Sequence, residues 1–138
     1  MLQLERNFVT LIQPLLKQGV SCVGIISKNG RLDEIAYKDK LPFSKDKKEM
    51  FCMSIRLSNS MQRDFDTELQ PVYYTVTERG NMKIVSIPVR ERVMFSLMDK
   101  KKDHIRVIKN LYDIVNNIET FTHPLELNQS IAEPIECK

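Results

Sequence analysis

The chain has 138 residues and a mass of 16.1 kDa, the size of one domain, and a formal charge of only +3. Hydrophobic residues make up 42% and charged residues 28%, which excludes collagen, a disulfide scaffold and wholesale disorder. A chain of this length supports a core without metal or disulfide staples.

Residues 2–18 carry Leu4, Phe8, Leu11, Ile12, Leu15 and Leu16 at helical spacing. Pro14 predicts a kink or two short pieces, and Gly19 a stop. Val20 to Ser27 is almost wholly apolar and reads as a central strand buried on both faces. Lys28-Asn29-Gly30-Arg31 then predicts a hairpin with a type I′ turn, leading to a more polar strand through Leu32, Ile35, Ala36 and Tyr37. Gly24 inside the first strand predicts a bulge or a close approach by a packed helix.

Ser44 is a good N-cap for a helix over about 45–65. Met50, Met53, Leu57 and Met61 form one stripe on it, flanked by Phe51, Ile55 and Phe65. The plain reading of that stripe is core against a sheet; the functional reading is an adaptable, methionine-rich binding face. Val72 to Glu78 is rich in β-branched and aromatic residues and predicts a third strand. Arg79-Gly80-Asn81 predicts a tight turn, and Met82 to Ile87 a fourth strand ended by Pro88. Val93 to Met98 predicts a fifth, central strand. Asp103 can cap a last helix with Ile105, Ile108, Leu111, Tyr112, Val115 and Ile118 on one stripe. From Glu119 the pattern fades into a segment, 119–138, with net charge −3, which leaves +6 on residues 1–118. The expected organisation is a domain over 1–118 and an acidic tail over 119–138, partly ordered on the body.

Chemistry is hard to find in these residues. Cys22, Cys52 and Cys137 have no regular spacing, and Cys22 and Cys52 read as small buried hydrophobes in a reducing cytoplasm. His104 and His123 are far apart, so a structural zinc site is not expected. There is no Walker A, nucleophile-elbow or dinucleotide glycine pattern. The expectation is no cofactor and no catalytic centre. The N-terminus does not read as a secretory signal, and no apolar run is long enough for a membrane span.

The order of elements predicts an α+β fold, helix-β-β-helix-β-β-β-helix, around an antiparallel sheet. Three segments carry a resemblance: Val20 to Leu32, Arg79 to Pro88, and Val93 to Met98. Over about 2–118 the pattern resembles the roadblock/LC7 family of the profilin-like and longin-like group. That resemblance implies a five-stranded sheet of order 2-1-5-4-3. It also implies a non-enzymatic dimeric interaction or scaffold module, one that docks or regulates a small Ras-like GTPase or signalling complex. Dimers of that kind join sheets edge to edge and pack their middle helices. Here that would use Met50, Met53, Leu57 and Met61 with Val72, Tyr73, Tyr74, Thr75 and Val76. An edge strand rich in Val, Tyr and Thr is also a physical template for another strand.

Two other readings compete. A PAS-like small-molecule sensor shares the two-strand, helix, three-strand order, but such domains break the middle region into several short helices. A weakly basic nucleic-acid-binding protein would use Lys38, Lys40, Lys45, Lys47 and Lys48, or Lys100, Lys101, Lys102, Arg106 and Lys109. Two Asp residues dilute each cluster to +3, and no aromatic residues interleave to stack on bases.

Overall fold

Apolar runs separated by Gly- and Asp-marked turns carry the described residues through ten elements. The computed structural model describes residues 2–122. The elements are α1 (Leu2–Leu16), β1 (Val20–Ile26), β2 (Leu32–Tyr37), α2 (Lys45–Gln62), a 3-10 turn (Arg63–Phe65), α3 (Asp66–Leu69), β3 (Thr75–Glu78), β4 (Met82–Val89), β5 (Arg92–Asp99) and α4 (His104–Thr122). The strands form one antiparallel sheet of order β2-β1-β5-β4-β3. This is the α+β architecture and strand order expected.

β1 and β5 lie in the middle and are buried along nearly their whole length, as their unbroken apolar runs require. Successive side chains point to opposite faces, so the sheet carries two cores. On one face Phe8, Ile12 and Leu15 of α1 and Leu111 and Val115 of α4 close over Val23, Val85 and Met94. On the other, α2 covers Cys22, Ile26, Phe95 and Leu97, contributing Cys52 and the half-buried Phe51 and Ile55, with Leu41 of the loop before it packed alongside. The result is three layers, with α2 isolated on its own side.

Several local expectations are refined. α1 continues as a single helix through Pro14, two residues from its end, and stops at Gly19 with φ 90°. The β1–β2 hairpin is present, but Gly30 alone takes a positive φ, 82°. Its N–H reaches the Ser27 carbonyl at 2.9 Å, and the Ser27 N–H reaches the Arg31 carbonyl at 2.7 Å. That is a three-residue loop rather than a two-residue type I′ turn. Ser27 Oγ, which accepts from Asn29 and Arg31 N–H at 3.2 Å each, favours the longer loop.

β4 runs through Pro88 to Val89 and turns tightly at Arg90, whose φ is 59°. The ladder with β3 ends at Ser86, so Pro88 sits where β4 has no neighbour on that side, a place that tolerates a missing N–H. β3 starts at Thr75, not Val72. The middle helix ends at Gln62 and tightens into the 3-10 turn. Asp103 caps α4, its Oδ1 accepting from Ile105 N–H at 3.0 Å. Val107 and Ile114 join the buried stripe of α4, while Ile105 is left 40% exposed. α4 extends to Thr122, and the acidic segment beyond it lies outside the described residues.

Candidate partner-binding surface

α2 starts at Lys45 because Ser44 Oγ accepts from Lys47 N–H at 3.3 Å, satisfying one orphan donor of the first turn. Its sequence holds two apolar stripes, not one. At about 100° per residue, Phe51, Cys52 and Ile55 share one side with Asn59, and Met50, Met53, Leu57 and Met61 share the opposite one. The first set faces the sheet. The Phe51 ring meets Phe95 edge-on at 5.7 Å and Phe43 at 5.1 Å, and Cys52 is buried beneath the helix.

The reading of the Met stripe as core is therefore wrong. Met50 is 66% exposed, Leu57 54% and Met61 67%, with Met53 less so at 41%. An aromatic ring and a small thiol fit the close approach to a sheet better than a run of flexible methionines. The outer stripe continues through Phe65 and Leu69, both exposed, on the 3-10 turn and α3. Their spacing after Leu57 and Met61 was a signal for a longer stripe, which the expected helix end at 65 obscured. An apolar run of this length on one face is unusual for a surface that stays in water.

Met53 has a second contact. Its sulfur and methyl group occupy the space that a Cβ on Gly30 would fill, at 2.6 Å. Arg56 Nε donates to the Lys28 carbonyl at 3.0 Å. The hairpin tip and the middle of α2 thus hold each other.

β3 is an outer strand, hydrogen-bonded among the described residues to β4 alone. Thr75 and Thr77 turn toward α2, whereas Val76 turns to the α1/α4 core. Of the residues expected at the edge, Val72, Tyr73 and Tyr74 precede the strand. Tyr73 is held by its carbonyl, which accepts from the Tyr112 hydroxyl of α4 at 2.6 Å. Tyr74 is 38% exposed. The sequence-expected residues thus divide into an exposed helical stripe and a short open edge with a tethered lead-in.

No protein-family model matches the sequence, and no curated protein matches it either. Solved structures do. A roadblock/LC7 domain from Streptomyces avermitilis superposes with a TM-score of 0.66 at 11% identity, over 82% of this chain and 95% of that one. An MglB protein in a tetrameric arrangement gives 0.68 at 9% identity, over 93% of each chain. LokiProfilin1, solved in complex with rabbit actin, gives 0.56 at 10% identity, over 88% of this chain and 97% of that one. This chain has the roadblock/LC7 fold.

In this roadblock/LC7 fold two grooves flank α2. One lies beside the β1–β2 turn and is lined by Arg31, Lys45 and Lys48 with Glu49 and Met53. The other lies beside β3. Cys52 also lines the first groove, and no base is hydrogen-bonded to its thiol among the described residues. Burial pushes the Cys22 thiol up to about 11, despite a backbone hydrogen bond at Leu97, and raises Cys52 as well. His104 Nδ1 is engaged by Lys83 Nζ at 3.1 Å rather than by a thiol. Among the described residues no group of three His, Cys, Asp or Glu could hold a metal ion, and no helix is long and apolar enough to cross a membrane.

Proposed function

We propose that the chain is a non-enzymatic interaction module that pairs with a second copy of itself. In that form it docks or regulates a small Ras-like GTPase or another signalling protein. The observation that carries this reading is the outward apolar stripe of α2, at Met50, Met53, Leu57 and Met61, together with the open edge of β3. Covering one such side chain completely is worth about 1.5–3 kcal/mol relative to leaving it in water. The exposure figures make a partner-free stripe costly.

The stripe is centred on Leu57, so a two-fold axis there would set Leu57 against its own copy and Met53 near the partner's Met61. Thr75 and Val76 would pair through their backbone with the second copy's edge, with Tyr74 packed beside them. Val72 and Tyr73 would supply the lead-in that α4 already tethers. The GTPase-linked role rests on the likeness to solved roadblock/LC7 and MglB structures.

Hydrogen exchange at two protein concentrations tests the pairing. The outward amides of Thr75–Glu78 should gain protection as the concentration rises, while those of β1 stay equally protected at both. Exchange in β3 that is independent of concentration would overturn the edge-to-edge part of the proposal.

A further inference from the structure

α2 buries one polar residue. Asn59 is 8% exposed on the sheet-facing side of the helix, where its neighbours Phe51, Cys52 and Ile55 are apolar. Its carboxamide makes no hydrogen bond among the described residues. Among the described residues the fully buried, unpaired side-chain oxygen is Ser96 Oγ, so the Asn59 amide keeps access to the groove it lines and is free to bond a guest there.

Asn59 lines the groove of about 180 Å³ between α2 and the β3–β4 hairpin. Strand alternation sends the hydroxyls of Thr75 and Thr77 into the same groove, and Arg79 lines it from the turn after β3. Ser58 and Gln62 add a hydroxyl and a carboxamide from the helix. Arg79 is the one charged side chain of the lining, and no ion pair engages its guanidinium among the described residues. The groove therefore offers hydrogen-bond donors and one uncompensated positive charge.

The geometry points to a small-anion site: Arg79 takes the charge of a phosphate- or carboxylate-type group, while Asn59, Thr75 and Thr77 donate hydrogen bonds to its oxygens. Size narrows the class. A water molecule's share of liquid volume is about 30 Å³, so the groove holds the equivalent of about six waters. Pockets for drug-sized ligands begin at about 300 Å³, so the groove suits a small anion better than a whole nucleotide. The site is complete within one chain and stands whether or not the chain pairs.

The test is a titration of the isotope-labelled full chain with inorganic phosphate, and separately with acetate, at constant ionic strength, read by NMR. The expected result is a saturable shift of the Asn59 side-chain amide and of the Thr75 and Thr77 backbone amides. Saturation by phosphate alone assigns the site to phosphate-type groups; saturation by acetate alone assigns it to carboxylates. Arg79→Gln, in an exposed turn, should weaken the affinity about tenfold. Asn59→Leu should abolish the shifts of the Thr75 and Thr77 backbone amides. No saturable shift with either anion, or shifts unchanged in Arg79→Gln, would overturn the proposal.

Discussion

Gly24 on β1 and Phe95 on β5 stand directly opposite each other, and a Cβ at residue 24 would lie 2.6 Å from the Phe95 ring. Phe95 is fully buried, and its ring seats Phe51 and so α2. The glycine makes room for a cross-strand ring rather than for a helix backbone. Gly24→Ala should therefore destabilise the fold by about 1–3 kcal/mol, the usual cost of overpacking a filled core. Urea unfolding measures it. An unchanged midpoint would mean that Phe95 has room to move.

That pair also marks how far the sequence could be read. Strand order and element types were legible because β1 and β5 are unbroken apolar runs and the turns carry glycine or charge. The special role of residue 24 was legible too. Its partner was not, because register across the sheet is not a local property. α2 was misread for a related reason. Two apolar stripes on one helix leave the buried face undecided until Phe51 finds Phe43 and Phe95. Val72 and Tyr73 have strand propensity, but β3 starts only at Thr75, and the Tyr73 carbonyl is tied to α4 by the Tyr112 hydroxyl. Asn59 and Arg79 could not be brought together from sequence, since they line one groove from different elements, the helix and the turn after β3.

Ser96 is fully buried, and its Oγ finds no hydrogen-bond partner among the described residues. Removing an unsatisfied hydroxyl relieves its desolvation cost at the loss of few contacts. Ser96→Ala should leave stability unchanged or raise it by about 1 kcal/mol, measured by urea unfolding. A clear loss would indicate a hidden partner for the hydroxyl.

Alkaline pH should weaken the fold. Burial raises Cys22 from 9.0 to about 11 and, with smaller contributions from Tyr73 and Tyr74, Tyr112 from 10.0 to about 12. The folded chain holds these protons more tightly than the unfolded chain. The stability they contribute is complete below the unfolded pKa and is lost as pH rises through the folded one. One such group changes the unfolding free energy by at most about 1.4 kcal/mol per pH unit. Cys22→Ala should flatten the decline between pH 9 and about 11. An equal decline in both proteins would exclude Cys22 as its source.

The same burial predicts slow thiol chemistry. In a Cys137→Ser background, Cys22 and Cys52 should resist alkylation until the protein unfolds, because the thiolate is the reactive form. Rapid labelling of either thiol under native conditions would contradict their place under α2.

Tyr112→Phe removes the hydrogen bond to the Tyr73 carbonyl, 2.6 Å long. The expected cost is about 1 kcal/mol, accompanied by faster amide exchange in 72–75 and little change in β1. Loss of protection across the whole sheet would instead make Tyr112 a core residue rather than a tether.

The central claim is that the outer face of α2 meets a second copy. Light scattering coupled to size exclusion tests it on the full chain and on Leu57→Glu, a substitution at a side chain 54% exposed and so tolerable to the fold. The expected result is a native mass of twice 16.1 kDa and a single-chain mass for the variant with unchanged circular dichroism. A wild-type chain that stays at 16.1 kDa, or a dimer indifferent to Leu57→Glu, would contradict it.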